Sequence, residues 1–328
     1  MGAFCRSFAI ACFSVAVGAC SKSDATPTAS ASATASGTAT ATATASATAS
    51  ATASGTATGD PLLTADPVAS KSIGHTSYVL KLTLSDGSRA VFKPRSRRPL
   101  GDRRYRAEIA AYRLAHALGL GNVPRALPRS FDAAALRRLQ PDFDKDALPD
   151  PDGHIRGALM PWIDAYRVLP LEEASWRARW EPWLTDASST IPEDQRSLAA
   201  AISTLVAFDY VTANWDRWSG ANIAEDGATH TLLYVDNDGA FYDNPPPDAL
   251  TRQLGLLRRI VRFSSSFVDA LRALDVAKLR DALGEETPGQ PLLPDRVVND
   301  ADVRRHAVLD IIDARVHDAG AASALAFP

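Results

Sequence analysis

Two aspartates twenty positions apart carry the most distinctive chemistry of this chain. Asp216 lies in DYVTANWDRWSGANI (209–223) and Asp236 in LLYVDNDGAF (232–241), linked through Asn222 and two predicted strands. A carboxylate presented from a loop can orient an attacking hydroxyl. A second one, delivered by the end of a strand, can hold a metal ion bound to nucleotide phosphates. That division of labour suits phosphoryl transfer. Asp216 follows an apolar helical pattern, and Arg217 beside it can hold the loop by pairing with a carboxylate. Asp236 follows four apolar residues, so its strand carries it to the floor of a cleft. Asn222 opens the intervening strand as a further candidate ligand, and Mg²⁺ or Mn²⁺ suits such oxygen donors. DNDGAF also suggests calcium, but the EF-hand pattern argues against it, because its sixth position requires Gly where this chain has Phe241, and its twelfth-position Glu is absent.

A phosphate chain also needs a fixed positive partner. Lys93 ends a predicted strand in AVFKP, and Glu108 lies on a predicted helix, 103–118, in RAEIAAYRL. Ala107, Ala111, Leu114 and Leu118 recur at helical spacing on one face. Glu108 adjoins that stripe, so it can turn toward the sheet and pair with Lys93. Gly74, His75 and Ser77 precede a strand and are candidates for a turn covering phosphates. GALMPWI (157–163) reads as an apolar strand broken by Pro161, a candidate hinge, with Met160 as a candidate cofactor-binding residue.

The elements that position these residues follow from local patterns. Ser77–Leu84 is rich in β-formers, Asp86-Gly87 is a two-residue hairpin signal, and SRAVFK is the return strand. Pro94 is expected to stop the ladder. Arg95 to Arg106 reads as a basic, solvated connection. Residues 164–195 are Trp-rich with no clear period. Leu198, Ile202, Leu205 and Val206 mark a buried helix ending near Ala213. ANIA and THTLLYV flank an Asp226-Gly227 turn, and 248–284 and 300–318 have helical periodicity. Strands first and helices later imply an α+β, two-lobed architecture.

The amino-terminal region has a different character. Residues 1–20 read as a lipoprotein signal: one charge at Arg6, an apolar run from Phe8 to Val17, then VGAC with Cys20 as the candidate lipidation site. The apolar run is too short for a permanent membrane helix. An ordinary cleaved signal is the alternative. Residues 21–60 form an Ala/Thr/Ser-rich linker with no apolar face to bury. Some 35 such residues span roughly 30–35 Å as a random coil, enough to hold a domain clear of a membrane. Cys5, Cys12 and Cys20 are the only cysteines, so the remaining domain is expected to contain no disulfide. The chain divides on this reading into 61–160 as an N-lobe and 161–328 as a C-lobe. A net charge of −3 gives no case for nucleic-acid binding, and nothing implies an oligomer.

AVFKP, YRAEIAAYRLAHALGLGNVP, DYVTANWDRW and YVDNDGAF together resemble the secretory-pathway kinase group of the Golgi casein kinase and four-jointed proteins. HipA-like and phosphoinositide-kinase-like proteins are more distant. The resemblance spans 70–245 and implies a protein-kinase-like fold with a β-rich N-lobe and a helical C-lobe. It also implies transfer of phosphate from ATP, with Mg²⁺ or Mn²⁺, to hydroxyls of extracytoplasmic proteins or glycans. On that basis Lys93 contacts phosphates, Glu108 supports it, Asp216 is the base of an Asn-x-Asp-Arg motif and Asp236 binds metal. The chain departs from the group in having Trp218 and Ser219 where His residues usually follow Asp-Arg. Asn222 falls six residues after Asp216, one more than in protein kinases. The secreted relatives also carry disulfides. The expected protein is an ATP-dependent phosphotransferase with an unknown hydroxyl acceptor, outside a bacterial cytoplasm and anchored through Cys20. An inactive binding module and AMP transfer on the same fold are the alternatives.

Overall fold

The computed structural model describes residues 60–74 and 77–328. Cys20, the signal and linker segments and His75 lie outside the described residues. The first half of the folded part is built on a five-stranded antiparallel sheet of order β1-β2-β3-β5-β4. Its strands are β1 (Pro67–Ser72), β2 (Leu80–Leu84), β3 (Arg89–Pro94), β4 (Leu127–Asp132) and β5 (His154–Pro161). Among them lie helices α1 (Pro61–Thr64), α2 (Arg104–Ala117), α3 (Ala133–Leu139) and α4 (Phe143–Asp146). Asp132 caps α3 by accepting from the amides of Ala134 and Ala135, satisfying donors that a helix start leaves free.

The remainder is mainly helical: α5 (Ala174–Thr185), α6 (Arg196–Thr212), α7 (Pro247–Arg259), α8 (Ser265–Ala273), α9 (Val276–Leu283), α10 (Asp295–Ala319) and α11 (Ala321–Ala324). A three-stranded antiparallel sheet, β6 (Tyr166–Val168), β7 (Ile223–Asp226) and β8 (Thr231–Tyr234), and a hairpin, β9 (Glu285–Thr287) and β10 (Gln290–Pro291), complete it. Ser264 and Asp275 cap α8 and α9 through their side chains. No helix among the described residues is long and apolar enough to cross a membrane.

Alternation along β2 separates two environments. Leu80, Leu82 and Leu84 join Phe92, Phe131, Ile155 and Leu159 in a core on one face of the large sheet. The other face presents Lys93, directly opposite Ala158, and Val91, opposite Met160. This face receives α2. The apolar residues of α2, including Ile109, Ala111, Leu114 and Leu118, belong to the second core, with Ile202, Phe208, Leu257 and Val308 of the helical half. The helix that carries Glu108 therefore packs with the C-terminal helices while reaching over the N-terminal sheet.

Several local expectations require correction. The β2–β3 loop has three residues, not two: Leu84 N donates to Ser88 O, Gly87 N to Leu84 O, and Gly87 takes φ +86°. A type I turn followed by a left-handed Gly absorbs the extra residue. Pro94 is the last residue of β3, so the strand stops there as expected. It pairs with Gly157, and Arg95 N donates to Arg156 O just beyond. The missing amide goes unnoticed because β2 pairing already stops at Leu80–Phe92. The first predicted strand begins at Leu80 rather than Ser77, and just before it Ile73 N donates to Val79 O. The Arg95–Arg106 stretch is not a simply solvated connection: α2 starts within it, and its Arg95, Arg98, Arg103, Arg104 and Arg106 pair with acids. The Trp-rich segment contains β6 and α5. Trp180, fully buried there, donates its indole N–H to Leu171 O at 2.9 Å.

Candidate active site

Lys93 and Glu108 meet because a strand end and a helix start face one another. Lys93 Nζ donates to Glu108 Oε1 at 2.5 Å, to Asp236 Oδ1, and to Asp238 Oδ2 at 3.3 Å. Lys93, Glu108 and Asp238 are buried, whereas the Asp236 side chain is 42% exposed and opens to solvent. Oxygens of Glu108, Asp236 and Asp238 lie within 4.8 Å of one another. Burial alone would lower the Lys93 ammonium, but Asp236, Asp238 and Glu108 hold it well above its ordinary value, so it stays charged. Glu108 is pushed up by burial and by its two carboxylate neighbours, against the pull of Lys93. Asp238 is held down despite burial, by Lys93 and by Arg104, whose Nη1 reaches it at 2.7 Å.

Asp236 reaches this position through strained backbone. It sits in the left-handed region at φ 54°, and so do Ala213 (53°), Ala221 (61°) and Phe241 (57°). With His230 (56°), five such non-glycine residues between 213 and 241 mark a segment held in shape by its surroundings, as functional loops often are. Ala213 ends α6 and releases the chain into the Asp216 loop. Gly239 lets that loop approach the 236–239 turn: a β-carbon there would lie 2.9 Å from both Asn214 Oδ1 and Asp216 Cβ. Asp216 is half-buried, and its carboxyl is raised by burial and then by Asp236 and Asp238.

Arg217 holds the loop from beneath. Its Nε donates to both oxygens of Asp209 at 3.1 Å, Nη1 to the carbonyls of Asn222 (2.7 Å) and Val235, and Nη2 to Asn237 Oδ1. Asn222 Nδ2 donates to Asp216 O at 2.8 Å, so the contact observed for it is a brace on the same loop.

Gly74 and Ser77 lie in the turn before β2. A β-carbon on Gly74 would fall 2.1 Å from Ser77 O, so only Gly fits. Ser77 Oγ donates to Asp238 Oδ2 at 2.7 Å, which brings the turn to the carboxylate cluster. Met160 is half-buried on the same sheet face as Lys93. Beyond it the Trp162 ring lies 3.7 Å from Lys81 Nζ. On the other side of Asp216 a cavity of about 810 Å³ is lined by Trp180, Trp215, Trp218, Arg252 and Arg259. Trp218 stacks on Trp180, centroids 5.9 Å apart.

Sequence reasoning singled out Lys93, Glu108, Asp216 and Asp236, and the structure brings Glu108 and Asp236 onto Lys93, with Asp216 close enough for the charge of Asp236 to act on it. It missed Asp238 and Arg104. The i, i+2 aspartates of DND were the available signal for Asp238. Arg104 sits among several arginines and nothing local distinguishes it.

The carboxylates of Glu108, Asp236 and Asp238 could hold a divalent cation. Three acids face one ammonium, with oxygen donors only, the set that Mg²⁺ and Mn²⁺ prefer. No protein-family model matches the chain, and no curated protein matches it either. Solved structures do. The Golgi casein kinase is 18% identical, with a TM-score of 0.59, covering 81% of this chain and 77% of that one. Its complex with Mn/ADP gives 17% and 0.57 over 80% and 76%. The structure of hydra Fam20 with sugar gives 19% and 0.57 over 79% and 88%. A sheet-rich N-terminal part, a helical C-terminal part and these neighbours give the chain a Fam20-like kinase fold.

Proposed function

We propose that the protein is a metal- and ATP-dependent phosphotransferase acting on a hydroxyl. The observation that carries this reading is Lys93 held among Glu108, Asp236 and Asp238, with Asp216 beside them, on a kinase-like fold. Asp236, Asp238 and Glu108 would hold Mg²⁺ or Mn²⁺, and the bound ion would neutralise charge on the nucleotide phosphates. Lys93 supplies a fixed positive charge to the same phosphates. Gly74 and Ser77 would lie over them, and Val91 and Met160 offer an apolar face to the base. Asp216 orients the acceptor hydroxyl and takes its proton as the hydroxyl oxygen bonds to the γ-phosphorus. The bond from that phosphorus to the β-phosphate oxygen breaks, and ADP leaves. Asn222 and Arg217 keep the Asp216 loop in place for this step. The acceptor enters from the cavity of indoles and guanidiniums next to Asp216.

The test is incubation of the full chain with γ-labelled or α-labelled ATP, Mg²⁺ or Mn²⁺, and candidate protein, glycan and lipid acceptors. Label transferred only from the γ position supports the reading. Transfer from the α position means AMP transfer, and no transfer or nucleotide binding means an inactive binding module.

The proposal extends to location. VGAC before an Ala/Thr/Ser-rich stretch supports a lipid anchor at Cys20, which would place the site outside a bacterial cytoplasm. Cys20→Ser should then move the protein from the membrane fraction to the soluble one. A wild-type protein already soluble would remove the anchor.

A further inference from the structure

A cavity of about 360 Å³ lies where α2, the large sheet and the β9–β10 hairpin meet, lined in part by Tyr105, Arg156, Glu286 and Gln290. Glu286 is its buried acid, only 9% exposed. It accepts from Tyr105 Oη and from Arg106 Nε at 2.7 Å, both in the first turn of α2. Arg156 of β5 lies 3.6 Å away and is otherwise held by Asp150 at 2.7 and 3.1 Å. Further along α2, Arg113 Nη1 donates to the carbonyls of Leu283 (2.5 Å) and Glu285 (3.0 Å). Arg106 and Arg113 are seven residues apart, two helical turns, so they lie on one side of the helix. The 283–286 segment thus grips α2 at two points along that side.

Other contacts act in the same sense. Arg103 reaches Asp243 at 2.8 Å and Arg104 reaches Asp238 at 2.7 Å. The apolar face of α2 lies in the core of the helical half. In kinases the pairing of the strand Lys with the helix Glu depends on where that helix sits. Here the helix is fastened by chain far downstream, and none of the fastening atoms belongs to the nucleotide site except Arg104 and Asp238.

We propose that Glu286 is a positioning residue: it clasps α2 to the β9–β10 hairpin, so that Glu108 meets Lys93 before nucleotide arrives. This rests on the phosphotransferase reading for its catalytic consequence, but not for its structural one. On this reading the protein needs no separate event to swing α2 inward.

The experiment compares the full chain with Glu286→Ala and Glu286→Gln. Three readouts are taken: amide hydrogen exchange over 104–112, the acetylation rate of Lys93 by mass spectrometry, and kcat and KM for ATP. Glu286→Ala should speed exchange in 104–112 and acetylation of Lys93 about tenfold, with α6 and α10 unchanged, and lower kcat by a similar factor. Glu286→Gln keeps an acceptor oxygen for Tyr105 and should recover part of each loss. If Glu286→Ala fails to fold, Tyr105→Phe and Arg113→Ala carry the same readouts, each loosening one grip. Unchanged exchange and acetylation in these variants would overturn the clasp, as would faster exchange spread evenly over α6 and α10. A wild-type chain that transfers no phosphate would instead remove the phosphotransferase reading, while exchange and acetylation still decide the clasp.

Discussion

Two buried ionic clusters share the 209–239 segment of this protein, and they are balanced differently. Around Arg217, a fully buried guanidinium meets one carboxylate, Asp209, and each of its nitrogens has an acceptor. Around Lys93, two cations, Lys93 and Arg104, face four carboxylates: Glu108, Asp236 and Asp238 in contact, and Asp216 nearby. The first cluster is electrostatically closed and neutral. The second carries surplus negative charge and opens to solvent at Asp236. Burying unbalanced charge is costly. On the proposed reading, the surplus is there for a ligand that cancels it. The difference separates a brace from a site, although both draw on the same DYVTANWDRW and VDNDG segments.

The sharpest way to break the comparison is to remove acids from the open cluster. Asp216→Ala should lower transfer about 10²–10⁴-fold, the usual contribution of a positioned base, and leave nucleotide binding nearly intact. Asp236→Ala should abolish both transfer and metal-dependent nucleotide binding. Neither should lower the melting temperature of the ligand-free protein, because each removes one of several like charges. Calorimetric binding of ATP–Mn²⁺ beside a transfer assay checks this. Equal loss of binding in both variants would show that the two roles are assigned wrongly.

The closed cluster should respond in the opposite way. Arg217→Ala leaves Asp209 buried without a partner, and breaking a buried pair in this manner costs about 3–5 kcal/mol. For a chain of this size each kcal/mol moves the melting temperature by about 2–4 °C. Thermal unfolding without nucleotide reads it directly. An Arg217→Ala protein as stable as wild type would mean that the brace is not structural.

The sequence exposes these two clusters unequally. Lys93, Glu108, Asp216 and Asp236 were visible because each sits at a strand end, on a helix face or in a loop bounded by periodic residues. Asp238 was not, because its role depends on a left-handed turn at Asp236 that folds the chain back onto Lys93. The strands beginning at Leu80 and Ile223 and the long helices were legible from alternation and helical spacing. β1 was not: PVASKS begins with Pro, lies at a sheet edge and is largely exposed, so it has no apolar alternation. The α5 pattern was obscured by Pro182 and by tryptophans whose burial is decided by the Asp216 loop, as in the Trp180–Trp218 stack. Glu286 is out of reach of local reading altogether, since its partners Tyr105 and Arg106 lie some 180 residues away in sequence.

A smaller effect sharpens the contrast through ligand binding. A ligand at about 100 times its dissociation constant stabilises a fold by roughly 2.7 kcal/mol. ATP with Mn²⁺ or Mg²⁺ should raise the melting temperature of the wild-type chain, and EDTA should reverse the rise. Asp236→Ala should lose the rise, whereas Arg217→Ala should keep it from a lower starting point. No shift with any nucleotide–metal pair at millimolar concentration would count against the open cluster as a nucleotide site.

The least conspicuous effect is on the pH dependence of transfer. The Asp216 carboxyl is raised above its ordinary value by burial first, and then by Asp236 and Asp238. A base works only when ionised, so a raised value places the acidic limb of the rate profile above the ordinary carboxylate range, and activity falls as pH drops through it. Two of the three causes are negative charges that a divalent cation on Asp236 and Asp238 would offset. The limb should therefore move toward lower pH as Mn²⁺ goes from limiting to saturating. Burial should keep it from returning fully to the value of an exposed aspartate. Profiles of kcat/KM against pH at the two metal concentrations measure the displacement. An Arg217→Ala protein, if still folded at the assay temperature, should show the same metal-dependent movement, since the closed cluster takes no part in it. A limb that does not move with metal would mean that the ion does not sit on the carboxylates that raise Asp216, and that the surplus charge of the open cluster is cancelled by something else.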